Sequence, residues 1–175
     1  MKKFIFLDID GVLNTLQDSI IFDQKIKVFN AEGINKTCLH LVKFVCDHTG
    51  AKVVISSSWK VEGLAKITGI FEAHGWHPAP LIDITPNTPN GFRGDEIFKY
   101  LEKYGDEQVS YVIIDDSTDF HMVQPHVHVD PVLGFTGRDA IKAIDIIGCH
   151  ENSKEMIEQL REEFFWRDNE AKNHA

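Results

Sequence analysis

Cysteine is scarce: Cys38, Cys46 and Cys149 are the three in 175 residues, and none sits in a C-x-x-C pair. An odd, scattered count fits reduced, mostly buried thiols in a cytosolic protein rather than a disulfide framework. Long apolar runs are missing as well. None approaches the length of a membrane span. The opening "MKKFIFLDID" carries two lysines and a greasy stretch, but its aspartates cut that stretch too short for a secretory signal core. The expected compartment is therefore cytoplasmic. Positive charge is in the minority, with 18 Lys and Arg against 27 Asp and Glu, a net charge of -9. That balance speaks against a broad, sequence-blind nucleic-acid footprint, which needs many phosphate-neutralising cations, yet it leaves room for a local basic pocket. No internal repeat, low-complexity tract or long polar linker divides the chain, so residues 1–175 are expected to form a single domain.

What is present is a regular alternation of apolar strands and amphipathic helices. Lys3 to Leu7, Val53 to Ile55 and Tyr111 to Ile114 read as buried strands, "PLIDIT" as a weaker one and "HVHVD" as a short fifth. Helices are expected from Asn35 to the glycine at 50, over Val61–His74, over Asp95–Tyr104, over Asp139–Ile147 and over about 153–169. This pattern predicts an α/β fold, a three-layer, Rossmann-like parallel sheet with helices on both faces. In such sheets ligands bind beyond the carboxyl ends of the strands. Three strands end there in Asp8-Ile9-Asp10, Ser56-Ser57-Ser58 and Asp115-Asp116.

Asp8 and Asp10, two apart on extended backbone, point the same way. If Asp115 and Asp116 end a neighbouring strand, several carboxylates converge. Two of them about 4 Å apart repel by about 4 kcal/mol at an effective dielectric near 20. A hard divalent cation offsets this, and Mg²⁺ with carboxylates, waters and a phosphate is the common solution. Ser56 offers a hydroxyl ahead of a helix N-terminus, where free amides favour anions. Arg93, immediately before another helix, can neutralise phosphoryl oxygens. A carboxylate nucleophile, a metal, a hydroxyl and a cation together suit phosphoryl transfer through an aspartyl-phosphate.

Four stretches in order, "FLDIDGVLN", "VVISSSW", the arginine of "NGFRGDEI" and "VIIDDSTDF", resemble the haloacid dehalogenase (HAD) superfamily of aspartate-nucleophile phosphatases. The resemblance runs from Phe4 to about Phe120, and "LGFTGRDAIKAI" resembles the tail of the same domain. "SSSW" and "RGDEI" are also similar to the subgroup named for multi-domain RNA-repair proteins. The resemblance implies a HAD-like fold with Asp8 as nucleophile and Mg²⁺ ligand. It implies Asp10 as general acid and base, with its backbone carbonyl on the metal. Ser56 would hold the phosphoryl group, with Ser57 or Ser58 as alternatives, and Arg93 would supply the basic group, with Lys60 and Lys99 as rivals. Asp116 would be the direct metal ligand, supported by Asp115 and assisted by Asp119. Short segments at Leu13–Gly33 and Trp59–Arg93 leave little room for an inserted cap. In this family a nearly capless domain implies an open site and often a large phosphorylated substrate, here a nucleic-acid 3′-phosphate end. A small nucleotide or sugar phosphate, or a non-catalytic phosphate-binding role, are the alternatives.

His126, His128 and Asp130 form H-x-H-x-D, a spacing that places alternate residues on one strand face and permits a zinc site. Pro131 follows and no second histidine cluster completes it, so a plain strand is expected. His121 stands apart as the histidine close after the second acidic pair. The "LREEFFWRD" stripe is expected to pack on its own sheet, and oligomeric state is left open by the sequence.

Overall fold

The computed structural model describes residues 1–17, 33–105 and 107–148. In chain order its elements are β1 (Lys2–Leu7), α1 (Lys36–Thr49), β2 (Lys52–Ile55), α2 (Leu64–Ala73), β3 (Leu81–Ile84), α3 (Arg93–Leu101), β4 (Val109–Asp115), β5 (His126–His128) and α4 (Gly137–Gly148). The strands form one parallel sheet in the order β3-β2-β1-β4-β5. Both faces of β1 are buried, as its uninterrupted apolar run requires. Ile5 and Leu7 join a core with Leu39 and Val42 of α1, Ile67 and Phe71 of α2, and Ala140 and Ala143 of α4. Phe4 and Phe6 face the other way, toward Ile97, Tyr100 and Leu101 of α3. There Phe6 meets the Tyr100 and Tyr111 rings edge-on, with centroids 5.5 and 5.6 Å away. Each such aromatic pair adds about 0.5–1.5 kcal/mol beyond its buried area.

Helix ends explain where the expected spans shift. Asn35 caps α1, its Oδ1 accepting from Thr37 N at 2.9 Å and Cys38 N at 3.2 Å, and Gly50 at φ 71 ends it. The helix expected over Val61–His74 starts only at Leu64. Ser58–Glu62 is instead a 3₁₀ turn, and Gly63 at φ 82 separates it from α2. Conversely α3 starts at Arg93, two residues before the expected Asp95, because the 116–124 loop supplies acceptors for its first amides. The expected helix at about 153–169 and Cys149 lie outside the described residues. So does most of the Leu13–Gly33 stretch. Between Trp59 and Arg93 the chain holds α2, β3 and short turns, with no inserted domain. Cys38 and Cys46 are buried, and burial pushes the Cys46 thiol up to about 12. Among the described residues no helix is long and apolar enough to cross a membrane.

Candidate active site

β1 is flanked by β2, the next strand in the chain, on one side and by β4 on the other, so the crossovers diverge at its carboxyl end. That divergence opens a crevice where no connection covers the sheet. The in-register pairing of Leu7 with Ile114 brings the first and second acidic pairs side by side. Asp8, Asp115 and Asp116 each present a carboxylate oxygen within 4.8 Å of the others.

Gly11 makes this approach possible. It turns the chain at φ 74, and a Cβ there would overlap the Asp116 carboxylate. The turn is closed by Asn14, whose side-chain carbonyl accepts from Gly11 N at 3.0 Å.

Asp8 is 2% exposed and Asp115 fully buried. Arg93 Nη1 bridges them, 3.0 Å from Asp8 Oδ2 and in close contact with Asp115 Oδ2. Asp115 Oδ1 accepts from Ser117 N at 2.8 Å. Asp8 Oδ1 is different: it is buried and no well-formed hydrogen bond reaches it. The Ser56 hydroxyl is another buried group without a partner. Burial raises Asp8 above the usual carboxylate range, against the opposing pull of Arg93 and the Ser57 hydroxyl. Burial, then the Asp8 charge, pushes Asp115 up to about 7 although Arg93 pulls it down. Burial raises Asp116 too. Arg93 is held above its ordinary value because Asp8 and Asp115 outweigh its own desolvation. Three carboxylates disfavoured as anions, one with an orphaned oxygen, form a donor set short of positive charge. All-oxygen donors of this kind fit Mg²⁺.

The remaining expected residues separate clearly. Asp10 lies outside the three-carboxylate cluster. Its Oδ1 accepts from Asn14 Nδ2 at 2.8 Å and Trp59 Nε1 at 2.9 Å, and Ser58 Oγ lies 3.3 Å from Oδ2. Ser57 caps the 3₁₀ turn, accepting from Trp59 N at 3.3 Å. Of the three cations weighed, Arg93 is the one against the carboxylates. Lys60 is paired with the buried Glu96 at 2.6 Å, and Lys99 is exposed on α3. Asp119 turns to the α3 N-terminus: its Oδ2 lies 3.4 Å from Arg93 N, its backbone oxygen accepts from Gly94 N at 3.1 Å, and Ser117 Oγ donates to Oδ1 at 2.6 Å.

His121 anchors the other side of that helix end. Its Nε2 meets Asp95 Oδ1 at 2.6 Å, while Gln124 accepts from His121 N at 2.9 Å and donates to Gly94 O at 2.9 Å. The loop after β4 thus sets where α3 begins, and through it the Arg93 guanidinium. His126 and His128 place Nε2 on the backbone carbonyls of Asp115 and Asp116, at 3.0 and 2.8 Å. Asp130 accepts from Val132 N. The three residues of H-x-H-x-D therefore brace the acidic loop and its continuation, and among the described residues they form no metal-binding group. Asn14, Trp59, Ser117 and Gln124 are absent from the expected site. The fourth-residue spacing of Asn14 from Asp10 was a readable signal, since asparagine closes such turns. No local pattern marks the other three.

A family model describing the HAD domain in Swiss Army Knife RNA repair proteins matches residues 4–140. Comparison with curated proteins and with solved structures finds no match. The matched span contains the parallel sheet except the first two residues of β1, the diverging crossovers and every side chain of the carboxylate–arginine cluster. With that architecture and that match, the chain belongs to the family of HAD domains found in Swiss Army Knife RNA repair proteins.

Proposed function

We propose that the protein is a Mg²⁺-dependent phosphomonoester hydrolase working through an aspartyl-phosphate on Asp8. Family membership carries a hydrolase or phosphatase type of chemistry in general. The observation that carries the specific reading is the meeting of the Asp8, Asp115 and Asp116 carboxylates, with one Asp8 oxygen buried and unpartnered and Arg93 alongside. Asp8, Asp116 and the backbone carbonyl of Asp10 would hold the cation, and Asp115 would support them while fixing Arg93. Bound there, Mg²⁺ would neutralise the crowded carboxylates and polarise a phosphoryl oxygen.

The chain's own residues then divide the work. Asp8 attacks phosphorus, and the bond from phosphorus to the ester oxygen breaks. Asp10 gives its proton to the departing oxygen. Water next attacks the phosphoryl group on Asp8, its proton passes to Asp10, and inorganic phosphate leaves with Asp8 restored. Arg93 and the Ser56 hydroxyl, with Ser57 beside it, face the phosphoryl oxygens during both steps.

The uncapped stretch between Trp59 and Arg93 and the family's RNA-repair association support a large substrate, a polynucleotide 3′-phosphate end. A screen with Mg²⁺ across sugar phosphates, nucleotides, phosphopeptides and 3′- and 5′-phosphorylated oligonucleotides tests this. The expected result is turnover that prefers 3′-phosphorylated ends and vanishes with a chelator. Preference for a small sugar phosphate would discard the polynucleotide assignment, and absence of turnover on every substrate would discard the enzyme.

A further inference from the structure

Trp59 follows the three serines and enters none of the chemical steps above, yet its indole reaches into the site. Its Nε1–H points at Asp10 Oδ1, 2.9 Å away, from a position 49 residues along the chain. Asn14 Nδ2 meets the same oxygen at 2.8 Å. Asn14 cannot be turned the other way round, because its own Oδ1 accepts from Gly11 N–H, a group that only donates. An indole N–H likewise only donates. Asp10 Oδ1 therefore faces two fixed donors and has no acceptor for a proton of its own. Oδ2 is the other case. Its neighbour is the Ser58 hydroxyl at 3.3 Å, which can donate or accept as the proton requires.

From this asymmetry we propose that Trp59 is a positioning residue for acid–base catalysis: with Asn14 it clamps Asp10 Oδ1 and makes Oδ2 the atom that gives and takes the proton. The inference rests on the reading of Asp10 as the acid of a phosphomonoesterase and extends it to one oxygen. In the first step the proton on Oδ2 moves to the leaving oxygen as its bond to phosphorus breaks. In the second, Oδ2 removes a proton from the attacking water. A carboxyl free to rotate would present either oxygen, and each misdirected presentation loses the aligned transfer on which general acid catalysis depends. Asn14 stabilises the Gly11 turn as well, so the function of Trp59 is the one separable by mutation.

The test compares wild type and Trp59→Phe on substituted phenyl phosphates with Mg²⁺. A 4-nitrophenolate departs without a proton, whereas phenolate and 4-methoxyphenolate depart far better with one. The expected loss in kcat is roughly tenfold or more on phenyl and 4-methoxyphenyl phosphate and within about threefold on 4-nitrophenyl phosphate, a steeper dependence on leaving-group acidity. Equal losses across the series would mean that Trp59 only supports the fold, and would overturn the proposal. Lack of wild-type turnover on all three would instead remove the phosphatase reading beneath it. The contact itself is read without metal or substrate, by the indole ¹H–¹⁵N resonance of Trp59 in otherwise unaltered protein. That resonance should move in Asp10→Ala; if it stays in place, the clamp does not exist.

Discussion

The two acidic pairs look alike in the sequence and are treated oppositely by the fold. Each has one deeply buried member, Asp8 or Asp115, and one partly exposed member, Asp10 or Asp116. In the first pair the outer carboxylate takes donors from Asn14, Trp59 and Ser58, while the buried one meets Arg93 at Oδ2 and keeps Oδ1 unpartnered. In the second pair the buried carboxylate takes them, from Arg93 and the Ser117 amide. The outer one packs over Gly11, with His128 holding its backbone carbonyl. Donors mark the carboxylates whose orientation is fixed by protein, and the unpartnered oxygen on Asp8 is the one that the cation of the proposed reaction would satisfy. Equal residue types thus acquire distinct duties from their hydrogen-bond partners, a difference that substitutions can break.

Replacing the orphan's owner should have the largest effect. Asp8→Asn is expected to lower kcat by at least about 10³-fold, because the amide cannot act as the attacking carboxylate. Normal turnover by that variant in a phosphate-release assay would remove Asp8 from its role.

The buried member of the second pair gives the next largest effect, on stability. Held at about 7 in the fold against 3.8 for the unperturbed group, Asp115 binds more protons folded than unfolded between those values. In metal-free protein the contribution of this group should therefore be fully present below about pH 4, fall by on the order of 2–4 kcal/mol as pH rises to 7, and level off above. Denaturant titrations of wild type and Asp115→Asn, with and without Mg²⁺, measure it. The difference should shrink in the variant and with the metal present; a pH dependence unchanged in both would contradict the assigned crowding.

Gly11→Ala sharpens the comparison from the steric side. It introduces a Cβ into the Asp116 carboxylate at a positive φ, so a cost of about 1–3 kcal/mol and weaker Mg²⁺ binding by calorimetry are expected. Gly94→Ala tests the loop that sets Arg93. Its Cβ would lie 2.7 Å from Gln124 Oε1 and 3.0 Å from His121 Cδ2, so about 1–2 kcal/mol of stability should be lost along with activity. The smallest effect belongs to Lys99→Ala. That exposed lysine stands outside the arginine–carboxylate contact, and kcat/KM should stay within about twofold.

Much of the carboxyl end of the sheet was legible beforehand. Apolar runs such as Phe4–Leu7 and Tyr111–Ile114 can satisfy their side chains only in a sheet covered on both faces, so strands, layers and the location of the carboxylates followed from local pattern. Arg93 was singled out by its place just ahead of the expected helix, and it stands as the first residue of α3. The Trp59–Asp10 bond was not, because nothing in "SSSW" says that the 3₁₀ turn ending at Gly63 directs the indole back across β2 to β1. Nor was the His121–Asp95 contact, which joins residues 26 apart on a loop and a helix. The H-x-H-x-D spacing shows the limit from the other direction. Alternation along a strand placed both rings on one face, but whether they met a metal or two carbonyls depended on what lay opposite.

Residue order alone was enough for the α/β architecture and for the strand ends that carry acid, since these rest on periodicity and on the even burial of apolar strands. Which carboxylate oxygen is left unpartnered, which basic side chain lies beside it, and which oxygen of Asp10 takes two fixed donors were settled by packing. Those properties depend on distances of 3 Å or so between groups far apart in the chain, and on the crossovers that bring β2, β1 and β4 together.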